Sequence, residues 1–280
     1  AFTYLRSGRP SPVVLELPVD VANEEFSESF EYEPVKGWKS AGDPDDIKVA
    51  VRALLTAKNP LLYAGEGVFY AAAWDELRKF AELVQAPVMT TLKAKSVFPE
   101  NHPLSVGNGG RAGGKPAAHF LRRADLIFSI GASLTRGFSN IIIGAQIPRG
   151  KVIVQSTVDE LDINKDYKAD YVIIGDAKLV LRQLIEQAKR QGVKSSKREH
   201  LIEEIRSVKE DWLREWMPKL TSSEVPINPY RLVWDLMHAV DRKNTIVTHD
   251  AGCPRDHLAA FYEAIIPRGY LGWGHHSTLG

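Results

Sequence analysis

Apolar positions along the middle of this chain alternate between two rhythms. Residues 60–64, 87–91, 125–130 and 151–155 form short apolar runs rich in β-branched side chains, and a fifth run, 171–174, is shorter still. Their length predicts buried strands rather than helices. Between them the spacing changes. Across residues 74–84, Trp74, Leu77 and Phe80 or Ala81 fall on one face at helical period. A well-marked helix start precedes the first run. Asp43 can cap free backbone N–H groups, Pro44 suits the first turn, and Asp45 and Asp46 favour the positive helix end. Ile47, Val51, Leu54 and Leu55 then recur at helical spacing. Strands alternating with helices predict an α/β fold: a central doubly wound, Rossmann-like parallel sheet over residues 43–190, covered on both faces.

The flanks read differently. Residues 12–19 (Pro-Val-Val-Leu-Glu-Leu-Pro-Val) predict one more buried strand, closing a unit that ends near residue 22. Residues 23–42 are acidic with few core-forming side chains, as in an extended linker. Residues 191–226 mix Lys, Arg and Glu, with Ile202, Ile205, Val208, Trp212 and Trp216 at roughly helical spacing. An exposed amphipathic helix with one docked stripe is expected there. Because acids and bases alternate, its charges read as a solvated face rather than a nucleic-acid patch. Pro226 and Pro229 end that segment, and a helix (229–240) and a strand (245–248) open a further α/β unit over residues 227–280.

Charge and composition narrow the function classes. Of 280 residues, 36 are Lys or Arg and 35 are Asp or Glu, so the net charge of +1 provides no field for nucleic acid or an anionic membrane. No run approaches the roughly 18 consecutive apolar residues of a spanning helix. The single cysteine, Cys253, excludes an internal disulfide framework and fits a cytoplasmic protein.

The candidate chemistry lies in loops. Asp250-Ala251-Gly252 directly follows a predicted strand, where parallel sheets bind ligands and a small-residue loop lets backbone N–H groups approach a phosphate. A plain tight turn would look the same. Gly65-Glu66-Gly67 is half a dinucleotide fingerprint and reads as a structural turn. The cluster from Gly107 to Gly114 matches neither Gly-x-Gly-x-x-Gly nor a P-loop, and either a nucleotide-facing loop or a flexible one fits it. His275 and His276, adjacent in a glycine-rich segment, point opposite ways if extended, which disfavours one shared metal. Cys253 lies near His249 and His257 in sequence, but no regular geometry joins them as a nucleophile and base.

The order of these pieces resembles the thiamine-diphosphate (ThDP)-dependent enzymes, in particular the acetolactate synthase-like family. Gly8-Arg9-Pro10-Ser11-Pro12-Val13-Val14-Leu15-Glu16-Leu17-Pro18-Val19-Asp20-Val21 is similar to the signature closing the pyrimidine-binding domain. Val88-Met89-Thr90-Thr91, Phe98-Pro99-Glu100-Asn101-His102-Pro103, Ala124-Asp125-Leu126-Ile127 with Gly131, Ile147-Pro148 and Gly175-Asp176-Ala177 resemble the central domain. Asp250-Ala251-Gly252 and the segment from Pro267 to Gly280 resemble the start of the diphosphate-binding domain.

The resemblance implies a central sheet flanked by partial ThDP-binding α/β domains. It implies that Asp250, Ala251, Gly252 and Cys253 lie near the cofactor's diphosphate, and that Leu279 wedges under the bent cofactor. The backbone carbonyl of Ser277 would accept from the 4′-amino group, with His275 and His276 near the substrate pocket. The family's activating glutamate is expected upstream of Ala1 and its Mg²⁺-binding Gly-Asp-Gly…Asn downstream of Gly280, so no catalytic residue or metal ligand is expected within these 280 residues and the chain alone is expected to be inactive. FAD is not expected: Arg136 is displaced from the flavin-binding pattern, and Gln155-Ser156-Thr157 replaces its acidic residues, though Asp159 is present. The function implied is cleavage or formation of C–C bonds in 2-oxo acids or diketones, with ThDP and Mg²⁺, by a homodimer or homotetramer. Two alternatives stay open. One is a non-catalytic nucleotide- or CoA-binding module built on the central domain. The other is an NAD-linked enzyme, which the missing full glycine fingerprint disfavours.

Overall fold

The computed structural model describes residues 1–110, 112–136, 145–194 and 198–272. Two short helices, α1 (Phe2–Arg6) and α2 (Val19–Ala22), lie in an exposed leading segment. Then follow α3 (Pro44–Thr56), β1 (Pro60–Ala64), α4 (Glu66–Tyr70), α5 (Trp74–Val84), β2 (Val88–Thr90), β3 (Ser105–Asn108), α6 (Lys115–Arg123), β4 (Leu126–Ile130), β5 (Val152–Thr157), β6 (Tyr171–Ile174) and α7 (Ala177–Arg190). The chain continues with α8 (Glu199–Leu220), α9 (Pro229–Ala239), β7 (Val247–His249), α10 (Cys253–Phe261) and β8 (Tyr270–Gly272).

Six parallel strands form one sheet in the order β3-β2-β1-β4-β5-β6. Strand order therefore reverses between β1 and β4, leaving a crevice beyond their carboxyl ends. Every residue of β1 and β4 is buried, so both faces are covered. α7 packs against α3 and α5, while α6 packs against α8. The doubly wound sheet is as the alternating pattern predicts. The α3 start behaves as read: the Asp43 carboxylate accepts the Asp45 N–H at 2.8 Å, and Ile47, Ala50, Val51 and Leu54 are buried.

Three local readings need correction. Residues 12–19 do not form a buried strand. They run exposed, Val14 at 92%, with no ladder partner among the described residues, and Val19 begins α2. An apolar run becomes a strand only where a neighbour accepts its hydrogen bonds, and Pro12 and Pro18 lack a donor. Edge strand β3, which runs into the start of the glycine cluster, escaped the apolar pattern because it contains Ser105, Gly107 at φ +82° and Asn108. Finally, the strand expected at 245–248 is shifted to Val247–His249, leaving Ile246 64% exposed.

A second, smaller core joins the end of α8 to α9, β7, α10 and β8. β7 and β8 pair in parallel. Trp212 stacks on Phe261, with centroids 5.0 Å apart and planes 8° apart. The two cores meet at Glu100. Its carboxylate takes the Lys95 ammonium at 2.5 and 2.6 Å and the Ala264 N–H at 2.8 Å, and its own N–H donates to the Ala264 carbonyl. Among the described residues no helix is long and apolar enough to cross a membrane.

Candidate functional site

Asp250, Ala251, Gly252 and Cys253 come together where β7 gives way to α10. His249, the last residue of β7, is buried, and its Nδ1 lies 2.8 Å from the Asp250 carbonyl. The Asp250 carboxylate accepts the Ala251 N–H at 2.6 Å, which fixes the turn. Gly252 has φ +83°, and a Cβ there would meet nothing within 4 Å. The turn therefore needs glycine for its backbone rather than for packing. Gly252 caps α10, Cys253 is its exposed first residue, and Pro254 has no N–H. Among the described residues, the open donors of that first turn are the backbone N–H groups of Cys253 and Arg255. A positive-φ glycine, free space and the N-terminal donors of a nine-residue helix suit one phosphate oxygen cluster.

Two groups close by are unusually placed. Burial holds the His249 imidazole below its ordinary pKa, with Arg255 adding to the effect, against the hydrogen bond to Asp250. Burial also raises the Tyr270 phenol well above its usual range, helped by Glu100. His249 Nε2 and the Tyr270 hydroxyl both lack hydrogen-bond partners among the described residues, and their rings lie 5.2 Å apart. Sequence reasoning weighed His249 only as a neighbour of Cys253. Its burial depends on β8, which the local pattern does not reveal. His275, His276, Ser277 and Leu279 lie outside the described residues. Among the described residues no group of three His, Cys, Asp or Glu side chains could hold a metal ion.

The switch-point crevice is the other candidate. A cavity of about 330 Å³ opens beyond β1, β4 and β5, floored by Gly67, Gly131, Ser156 and Thr157. Most of its basic side chains already have carboxylate partners. Arg9 reaches Asp159 at 3.3 Å and Asp162 at 3.1 Å, Lys39 reaches Asp176 at 3.2 Å, and Lys93 lies 3.6 Å from Glu66. Arg6 donates to the Val35 carbonyl. The N-terminus of α7 is capped by Asp176 itself. Arg136 lies over the Tyr167 ring at 5.3 Å and does not line the crevice. An anion entering here would compete with carboxylates for most of these cations.

Comparison with known proteins decides the family. Residues 47–184 match the family described as thiamine pyrophosphate enzyme, central domain. A probable acetolactate synthase large subunit of Methanococcus aeolicus is 33% identical over 299 residues, covering all of this chain and 49% of that protein. Its counterpart in Methanocaldococcus jannaschii is 34% identical over 294 residues, covering all of this chain and 48% of that protein. This chain belongs to the ThDP-dependent, acetolactate synthase-like family. It spans about half the length of the curated relatives it matches. Benzoylformate decarboxylase from Polynucleobacter necessarius superposes with a TM-score of 0.67 over 91% of this chain and 44% of its own, at 22% identity. That likeness establishes the fold alone. Within the family the six-stranded sheet of this chain is the central domain.

Proposed function

We propose that the protein to which this chain belongs uses ThDP with Mg²⁺ to break or form a C–C bond beside a carbonyl, in 2-oxo acids or diketones, as an acetolactate synthase-like carboligase or decarboxylase. The observation that carries this reading is the turn at Asp250-Ala251-Gly252, open at Gly252 and backed by the α10 N-terminus, in a chain similar along its whole length to acetolactate synthase large subunits. When bound, ThDP supplies an electron sink for the carbanion left by C–C cleavage. The residues of this chain do the holding. The N–H groups of Cys253 and Arg255 would bind diphosphate oxygens, and the Asp250 side chain keeps the turn in shape through the Ala251 N–H. His275, His276, Ser277 and Leu279 are proposed to line the cofactor and substrate side of the same site. We place the protein in the cytoplasm as a homodimer or homotetramer; exposed Leu271 of the small sheet, with Ile246 just before β7 and Val225 and Ile227, is apolar surface that supports assembly.

A nucleotide- or CoA-binding module is the weaker reading, because paired charges crowd its crevice. The test is calorimetric titration of the intact protein with ThDP and Mg²⁺, wild type against Gly252→Val. The valine is expected to weaken ThDP binding by about tenfold or more with an unchanged circular dichroism spectrum. Equal affinity in the two proteins would remove the turn from the cofactor site. Absence of ThDP binding by the wild type would overturn the functional reading itself.

A further inference from the structure

A second cavity, of about 320 Å³, separates the β3 side of the large sheet from α8, α9 and the end of α10. Its walls are mainly apolar: Val106, Trp212, Leu213, Trp234, Met237 and Phe261. None of Asp250, Ala251, Gly252 or Cys253 lines it. A mainly apolar pocket of this size that also carries polar side chains is the usual form of a small-molecule site.

The charges in this cleft do not cancel. Lys95 is spent on Glu100 at 2.5 Å, and Arg242 on Glu263 at 2.6 Å. Lys209 is the surplus cation. Its ammonium has three protons and, among the described residues, makes one hydrogen bond, 2.9 Å to the Glu100 carbonyl, with no carboxylate within ion-pair distance. Burial pulls its pKa below the usual lysine range against the attraction of Glu263 and Glu100. A half-buried ammonium that faces a mainly apolar cavity with unused donors is favourably placed to take an anion.

We propose that this cleft binds a monoanionic carboxylate carrying an aromatic or branched apolar tail, the carboxylate on Lys209 Nζ and the tail against Trp212 and Trp234. One cation sets the ligand's charge at minus one. The Glu100 and Glu263 carboxylates, already engaged, disfavour a dianion such as a phosphate monoester. The apolar wall selects against small hydrophilic acids, and the two indoles favour a flat or branched tail.

The probe is 3-phenylpropanoate, followed by tryptophan fluorescence and calorimetry on the intact protein, with 3-phenylpropan-1-ol as the uncharged control. The acid is expected to bind one to one with a Kd of about 1 mM or tighter. Lys209→Met, which keeps the stem and loses the charge, is expected to weaken the acid by about tenfold and leave the alcohol unchanged. Trp234→Ala is expected to weaken both ligands, and it carries the test should Lys209→Met misfold. Binding of the acid that ignores both substitutions overturns the proposal. So does equal affinity for acid and alcohol, or no binding of the acid at ten times the expected Kd. Because none of these readouts requires ThDP, a negative result here leaves the diphosphate turn untouched, and the reverse holds too.

Discussion

Gly67 and Gly131 meet where the strand order reverses, and neither position has room for a side chain. The Gly67 N–H donates to the Gly131 carbonyl at 2.8 Å, so the turns after β1 and β4 are locked together. A Cβ on Gly131 would stand 2.6 Å from the Gly67 Cα, and Gly131 has φ +65°. Both a backbone clash and left-handed strain therefore oppose Gly131→Ala. It is expected to destabilise the protein by about 2–4 kcal/mol, read from the midpoint of chemical unfolding. A loss under about 1 kcal/mol would show that the two turns separate freely. The sequence announces Gly65-Glu66-Gly67 as a strand-to-helix turn, and Gly65 does join β1 to α4. It cannot announce why Gly67 is needed, because the reason sits in a distant turn. Lys209 teaches the same lesson. Its stretch mixes acids with bases, a pattern that predicts solvated charge, and most of it is solvated. Lys209 departs from that pattern because Glu100 and the end of α10 pack beside it.

At the scale of elements, the joint between the two cores rests on one buried ion pair. Lys95 and Glu100 are 1% and 6% exposed, and the carboxylate also takes the Ala264 N–H from beyond α10. Taking one partner from a buried pair leaves the other charge without compensation. Glu100→Gln is therefore expected to cost about 3–5 kcal/mol in unfolding free energy. Adding Lys95→Met should restore part of the loss, since no buried charge then remains unpaired. If the double variant is no better than the single one, the pair is not what joins the cores. Sequence reading found Glu100 only within a family-like stretch, because Ala264 is remote in the chain. Elements whose signals are local were legible: the Asp43 cap, the Trp74–Val84 helix and the Tyr171–Ile174 strand lie where the pattern places them. Elements whose identity depends on a neighbour were not. β3 is a strand because β2 lies beside it, and residues 12–19 are none because no described strand pairs with them.

The titratable groups of the whole molecule divide the pH scale into two limbs. Burial lowers the pKa values of His249, His257 and His119, and for His119 the cations Arg123, Arg122 and Lys115 add to burial despite Glu204 at 3.1 Å. The unfolded chain therefore binds more protons than the folded one just below the ordinary histidine value of 6.5. This stabilisation is complete above that value and is lost as the pH falls towards the lowered ones. Asp125 extends the limb. Burial opposes its charge, but backbone N–H groups including those of Asn59 and Lys58 outweigh burial, so its contribution is lost only as the pH falls below 3.8. On the alkaline side burial raises Tyr63, Tyr270 and Tyr262 above 10.0, so the unfolded chain loses phenolic protons first and stability falls as the pH rises past that value. Lys209, lowered by burial, works against this alkaline limb. The unfolding midpoint is thus expected to be highest between about pH 7 and 10 and to decline on both sides. His249→Asn keeps a donor for the Asp250 carbonyl and removes one titrating ring, so it should flatten the acid limb between pH 7 and 5. A variant whose acid limb stays as steep as the wild type's would assign that loss to other groups.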